Sequence, residues 1–296
     1  MRTVIVISDT HIASSVALRP RLVQLDDGDT STFSRGQRWL LDGWESFLEW
    51  TKPARDPVLI SLGDIVEGDR KHRSLQLVTK NTAVITRMAA EVLDPLVKRC
   101  SCSYWLRGTP AHVGKSGTME ERLAEDFTNT VRNPETKAYS WWYLPLELEG
   151  VRIGASHYAS IGGMPWTRGN SANAIAAKAL LTLGPDAPQL ILRGHAHRWA
   201  DSGDNFPLCR AIILPGWTLA TEYTGNLSPG APAEIGGMMV HCDGGKYETE
   251  KFRWEPKRQR YFLPPSSGLK NSARPTARAK HNRTKSRQNR LKRRST

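Results

Sequence analysis

Four cysteines in 296 residues (Cys100, Cys102, Cys209 and Cys242) are too few and too scattered for a disulfide scaffold. One Cys-x-Cys pair without a second pair is a poor zinc signature, so the four are expected to be reduced thiols. Long apolar runs are also missing, and none approaches the roughly 18 residues that a membrane span needs. The chain opens on "TVIVISDTH" with no basic leader and no small-residue cleavage site, which points to a cytoplasmic protein without a membrane partner. No internal repeat is found, and the acidic "DDGD" at 26–29 lacks EF-hand spacing and reads as a loop.

Acidic residues are missing from one end of the chain. From Pro256 onward there are 14 Lys/Arg and no Asp or Glu, which leaves 28 basic against 29 acidic residues in positions 1–255 of the 42 and 29 overall. The formal charge of +13 therefore belongs to the tail, and the body carries about −1. Residues 264–296 hold almost no large apolar side chains, cannot offset the entropy of folding, and are expected to be a disordered Lys/Arg-rich tail after a folded domain at 1–263. Such a run attracts polyanions by counterion release, so nucleic acid is a possible partner; a solubilising tail is the alternative.

The body is rich in core formers, with 39% apolar residues and 10 Trp. "TVIVIS" (3–8), "PVLISLGD" (57–64) and "QLILRGH" (189–195) are short, β-branched apolar runs suited to strands buried on both faces, and "SYWLRG" reads as the end of another. Between the first two, Leu40, Trp44, Phe47 and Leu48 recur at helical spacing. Trp39 and Trp44 belong to the same pattern and read as core. A second helix is expected over about 74–98, broken near Pro95, and a third begins at Thr118, three residues before Glu121 as in a capping box. Segments 208–217, 236–242, 246–254 and "YLPLELEGVRIGASH" read as strands and turns, with one helix at about 171–183. Alternation of strands and helices is the grammar of an α/β layered fold, and the β-rich second half suggests a second sheet packed on the first.

Each strand-like run ends in groups that bind metals. The first ends in Ser8-Asp9-Thr10-His11, the second in Gly63-Asp64-Ile65-Val66-Glu67, and later ones in Ser156-His157 and Gly194-His195-Ala196-His197. Strand ends are where a cleft forms in an α/β sheet. Asp9 and His11 are two apart, so an extended backbone would send both side chains to one face, and His195 and His197 repeat the spacing. Mixed imidazole and carboxylate ligands suit manganese, iron or zinc.

In order, these segments resemble the calcineurin-like metallophosphoesterase superfamily, whose motifs are Asp-x-His, Gly-Asp-x-x-(Asp/Glu), Gly-Asn-His-(Asp/Glu), a lone histidine and Gly-His-x-His. The resemblance runs from Asp9 to His197, and four of the five motifs match. It implies a two-layer β-sandwich flanked by helices and a phosphate-ester substrate, mono- or diester. It also implies two divalent ions, about 4 Å apart, that activate a hydroxide for in-line attack. By the same resemblance Asp9, His11 and His197 hold the first ion, His157 and His195 the second, and Asp64 bridges them. Glu67 would orient loop groups.

The third motif departs from the pattern. In "RGTPAH" (107–112), Thr109 stands where the family has Asn, and the histidine comes three residues later. Either the Thr109 hydroxyl takes the Asn position and His112 acts as general acid or phosphate contact, or His112 fills the coordination site itself. Asp64 and His112 are thus the expected catalytic residues. Arg70, Lys71, His72 and Arg73 in "DRKHRS", with Arg107 and Lys115, are candidate phosphate contacts or simply solvated cations. A nucleic-acid-binding protein on a catalytically weak phosphoesterase scaffold is the alternative function.

Overall fold

The computed structural model describes residues 1–68, 76–159, 167–220 and 233–256. The β-branched runs form the central strands: β1 (Arg2–Ile7) is followed by a short hairpin of β2 (Val23–Gln24) and β3 (Thr30–Ser31), and then by α1 (Arg35–Trp50). Next come β4 (Val58–Ser61), α2 (Thr82–Val97), β5 (Cys102–Leu106), α3 (Pro110–Val113), α4 (Thr118–Glu125) and β6 (Ser140–Trp141). The second half holds β7 (Leu144–Leu148), β8 (Val151–Ser156), α5 (Arg168–Leu183), β9 (Leu190–Arg193), β10 (Ala200–Asp201), β11 (Arg210–Ile213), β12 (Ile235–Asp243) and β13 (Lys246–Trp254).

Two sheets result. The first has the order β13-β12-β1-β4-β5-β6, parallel from β1 to β6, and the second has the order β10-β11-β9-β8-β7 with a parallel centre. Alternation along each buried strand fixes which residues face which layer. Val4, Val6, Ile60 and Leu106 of the first sheet meet Ile153, Leu190, Leu192 and Ile212 of the second in one core. Ile5, Ile7, Leu59 and Trp105 face the other way, onto Leu40, Trp44 and Phe47 of α1 and Ile85, Met88 and Leu93 of α2. Burial of Trp44 and Phe47 contributes roughly 2–3 kcal/mol each, and Trp44 meets Trp217 edge-on at 5.0 Å. On the far side, Ala172 and Ala176 of α5 cover Ile191 and Ala211. This is the expected sandwich of two sheets with helices outside. Its β12–β13 hairpin turns on Gly244 and Gly245, both at positive φ as a two-residue turn of this hand requires.

Three local expectations are corrected. The second helix starts at Thr82, where Asn81 accepts hydrogen bonds from Ala83 N and Val84 N, and it runs through Pro95 because a proline so near the end forfeits little. Thr118 does not cap α4: Gly117, left-handed, precedes the helix. Glu121 instead accepts from Tyr139 N at 2.7 Å and Ser140 N at 2.8 Å, tying α4 to β6. The capping box in this protein is Ser34–Gln37, at the start of α1.

Residues Met1–Glu255 cluster as one compact unit. The expected domain boundary at 263/264 and the basic tail lie outside the described residues, as do Arg70, Lys71, His72 and Arg73. All four cysteines are free thiols, as expected. No helix among the described residues is long and apolar enough to cross a membrane.

Candidate metal centre

The loops that follow β1, β4, β5, β8 and β9 meet at one end of the sandwich, because parallel strands deliver their C-terminal ends to the same edge. Backbone hydrogen bonds stitch the loops together: Asp9 N donates to Gly63 O, His11 N to Asp64 O, Gly194 N to His157 O and Trp217 N to Asp9 O, all at 2.9–3.0 Å. The approach is close enough to demand glycine. A Cβ on Gly108 would lie 2.3 Å from Asp64 N, and one on Gly194 would lie 2.8 Å from Asp9 Oδ2.

Asp9, His11 and His197 form one group whose candidate ligand atoms all lie within 4.8 Å of one another, and Asp64, His157 and His195 form another. Asp9 is fully buried, and its Oδ2 accepts from His195 N and from the Ser8 hydroxyl. Its Oδ1 has no hydrogen-bond donor. That oxygen lies 3.2 Å from His197 Nε2 and 3.8 Å from His11 Nε2, and the two imidazole nitrogens are 3.2 Å apart. His11 Nδ1 is 2.7 Å from Glu67 Oε2, so the proton of the neutral ring sits on Nδ1 and the Nε2 lone pair faces the group.

The second group repeats this logic. His157 Nδ1 donates to Leu62 O at 2.8 Å, so its Nε2 lone pair points at Asp64 Oδ2 (3.1 Å) and His195 Nδ1 (3.2 Å). Imidazole nitrogens and carboxylate oxygens converge in both groups and the Asp9 oxygen lacks a donor, so both donor sets fit divalent ions.

Ionisation follows from these contacts. Burial works against every charge here, yet the hydrogen bond and charge of His157 hold Asp64 at about 2. Asp64 in return lifts His157 to about 9 against the burial that would lower it. His11, buried between Asp9 and Glu67, is raised as well, and Glu67, paired with His11 and His112, is held at about 2 despite its own burial. His195 is lowered by burial and by His157.

The residues converge, but not through an extended backbone. Asp9, His11, Asp64, His195 and His197 have φ of 51°, 43°, 51°, 68° and 52°, so these side chains are aimed by left-handed loop residues, not by an extended backbone. Thr109 and His112 separate. The Thr109 hydroxyl is 3.2 Å from His157 Nε2 and 3.3 Å from His195 Nδ1, at the second group. His112 lies beside the first group instead, its Nδ1 2.8 Å from Glu67 Oε1 and its ring 4.6 Å from that of His11. Glu67 therefore spans His11 and His112, an orienting place. Arg107 turns to Ser140, donating to its hydroxyl at 2.8 Å, and Lys115 is exposed.

No protein-family model and no curated protein matches the sequence. Solved structures do match in arrangement. Vacuolar protein sorting 29 from Cryptosporidium parvum is 12% identical, with 85% of this chain and 97% of that chain covered and a TM-score of 0.44. The zinc-bound form of the same protein from Entamoeba histolytica is 12% identical, with 86% and 99% covered and a TM-score of 0.38. Sulfate thiohydrolase SoxB from Thermus thermophilus is 11% identical, with 86% of this chain and 56% of that chain covered and a TM-score of 0.42. At such identities and scores, the likeness assigns neither activity nor partner.

Two residues beside the centre escaped the sequence reading. Glu120 of α4 is fully buried and accepts from Gly108 N at 2.6 Å and Ile65 N at 3.1 Å, clamping the loops that carry Thr109 and Asp64. Burial and the nearby Asp64 charge push its carboxyl up to about 8. Nothing in "TMEERLAE" marks it apart from a surface glutamate. Tyr158 follows His157 directly, and an aromatic next to a ligand at a strand end was a usable signal.

Proposed function

We propose that this chain is a metal-dependent phosphoesterase of the calcineurin-like kind, acting on phosphate mono- or diesters. The observation that carries the reading is the pair of Asp/His groups with lone pairs facing inward and a buried Asp9 oxygen lacking any donor. Asp9, His11 and His197 would hold one divalent ion, His157 and His195 a second, with Asp64 shared; manganese, iron or zinc suits these donors. Such ions supply Lewis acidity toward phosphoryl oxygens and a nucleophilic hydroxide at neutral pH.

The chain's own groups do the rest. Glu67 grips His112 through Nδ1, so Nε2 is the atom that would hand a proton to the departing ester oxygen. Attack by that hydroxide would form one P–O bond as the other breaks, and His112 would recover its proton from water. The Thr109 hydroxyl, beside His157 and His195, would take the place of the family's amide. Turnover of a chromogenic phosphodiester beside the matching monoester, with manganese added, tests the reading. Activity that vanishes in Asp64→Asn supports it, and unchanged activity in that variant refutes it.

The Thr109 substitution favours a second reading, a nucleic-acid-binding protein whose catalysis is weak. The 14 basic residues from Pro256 onward would then supply the affinity. Binding should fall steeply with salt and disappear when residues 264–296 are deleted, and equal binding by the truncated protein would rule this out.

A further inference from the structure

Among the described residues only three aromatic side chains are exposed: Trp142, Tyr143 and Tyr158. Two are engaged away from the metal groups. Trp142 carries the Arg107 guanidinium 5.2 Å over its ring, and the Tyr143 hydroxyl sits against Gly154 on β8. Tyr158 is different. It is 46% exposed, yet its ring centroid lies 5.2 Å from that of His157 and 5.3 Å from that of His195. Its hydroxyl approaches Thr109. A phenol ring left half in water beside the second Asp/His group is a flat apolar surface adjoining the place a phosphate would occupy.

We propose that Tyr158 is a stacking platform for the base of a nucleotide, which makes nucleoside phosphodiesters the substrate class of this centre. The proposal rests on the phosphoesterase reading for the chemistry, and on Tyr158 alone for the class. Stacking suits the site because every base has a π-face and needs no hydrogen-bond partner.

The test uses the full chain with manganese and two diesters that share one leaving group: thymidine 5′-(p-nitrophenyl phosphate) and methyl p-nitrophenyl phosphate. The wild-type protein is expected to favour the thymidine ester. Tyr158→Leu should lower the ratio of the two kcat/KM values about tenfold, through KM, which is within the range for losing one base–aromatic stack. Tyr158→Phe, which keeps the ring and loses the hydroxyl, should restore the ratio. A ratio that is the same in all three proteins, or a Phe variant that behaves like Leu, overturns the proposal. A second readout does not depend on turnover: the monophosphate of 2-aminopurine deoxyriboside loses fluorescence when stacked. Quenching is expected with wild type and Tyr158→Phe, with Kd about tenfold weaker for Tyr158→Leu. Quenching without hydrolysis of either ester would support the platform and refute the phosphoesterase reading, whereas hydrolysis without quenching by wild type would do the reverse.

Discussion

Replacing Asp64 by Asn separates the fold of the centre from its capacity for metal. In the wild-type protein Asp64 Oδ1 accepts from Thr109 N at 2.6 Å, and Oδ2 lies 3.1 Å from His157 Nε2. Asparagine can keep the first bond through its amide oxygen and offer its NH₂ to a neutral His157, but it forfeits the Asp64–His157 ion pair, so the metal-free variant should fold with lower stability than wild type. Metal is another matter. An ion that binds only the folded state at a hundred times its Kd stabilises it by about 2.7 kcal/mol. For a unit the size of Met1–Glu255 that raises Tm by roughly 5–10 °C. Loss of an anionic ligand costs at least the roughly hundredfold in affinity that losing a mere orienting partner can cost. At the same metal concentration the gain then shrinks to RT ln 2, about 0.4 kcal/mol, or roughly 1 °C. Thermal melts of both proteins, with chelator and with manganese, read this directly. A metal-induced shift in Asp64→Asn equal to that of wild type would refute the assignment of Asp64 as a ligand.

Glu120→Ala should strand the buried N–H groups of Gly108 and Ile65, each costing about 1–3 kcal/mol. A net loss of about 3 kcal/mol is expected, visible as a urea midpoint shift, and Glu120→Gln should recover part of it by keeping one acceptor. Without metal, His157 at about 9 and the raised His11 are protonated at neutral pH, and ions require both rings neutral. Metal binding at pH 7 should therefore release about two protons per chain, and affinity should climb with pH until about 9; calorimetry in buffers of different ionisation enthalpy measures the count, and zero release would contradict it.

The sandwich was legible because its central strands are buried on both faces, so "VIVI" and "VLIS" need no alternation to be recognised and their ends mark the cleft edge. The residues that cluster at the candidate centre were legible for the same reason, each standing one to four residues past such a run. What could not be read is the backbone between them. Nothing about Asp9 or His195 announces a left-handed φ, since Asp9 is held by backbone bonds with Gly63 and Trp217 and His195 by a bond from its N–H to the Asp9 carboxylate, all far away in sequence. The alternatives for "RGTPAH" also turned on a distant residue: Glu67 draws His112 to the first group and leaves Thr109 at the second. The Thr118–Glu121 spacing misled because Glu121 finds two better donors on β6, a competition invisible locally.

The same left-handed residues explain why the centre is a property of the whole fold. A non-glycine residue in that conformation costs on the order of 1 kcal/mol, less for Asp, and it persists only where its surroundings over-determine it. Five of the six expected ligands are held this way, by loops whose main chains bond to one another and whose glycines allow them to touch. The stitching also leaves a buried Asp9 oxygen without a donor, an arrangement that favours no metal-free fold. Backbone cost and electrostatic mismatch coincide at the same residues, and a divalent cation removes the second by using the geometry that the first maintains.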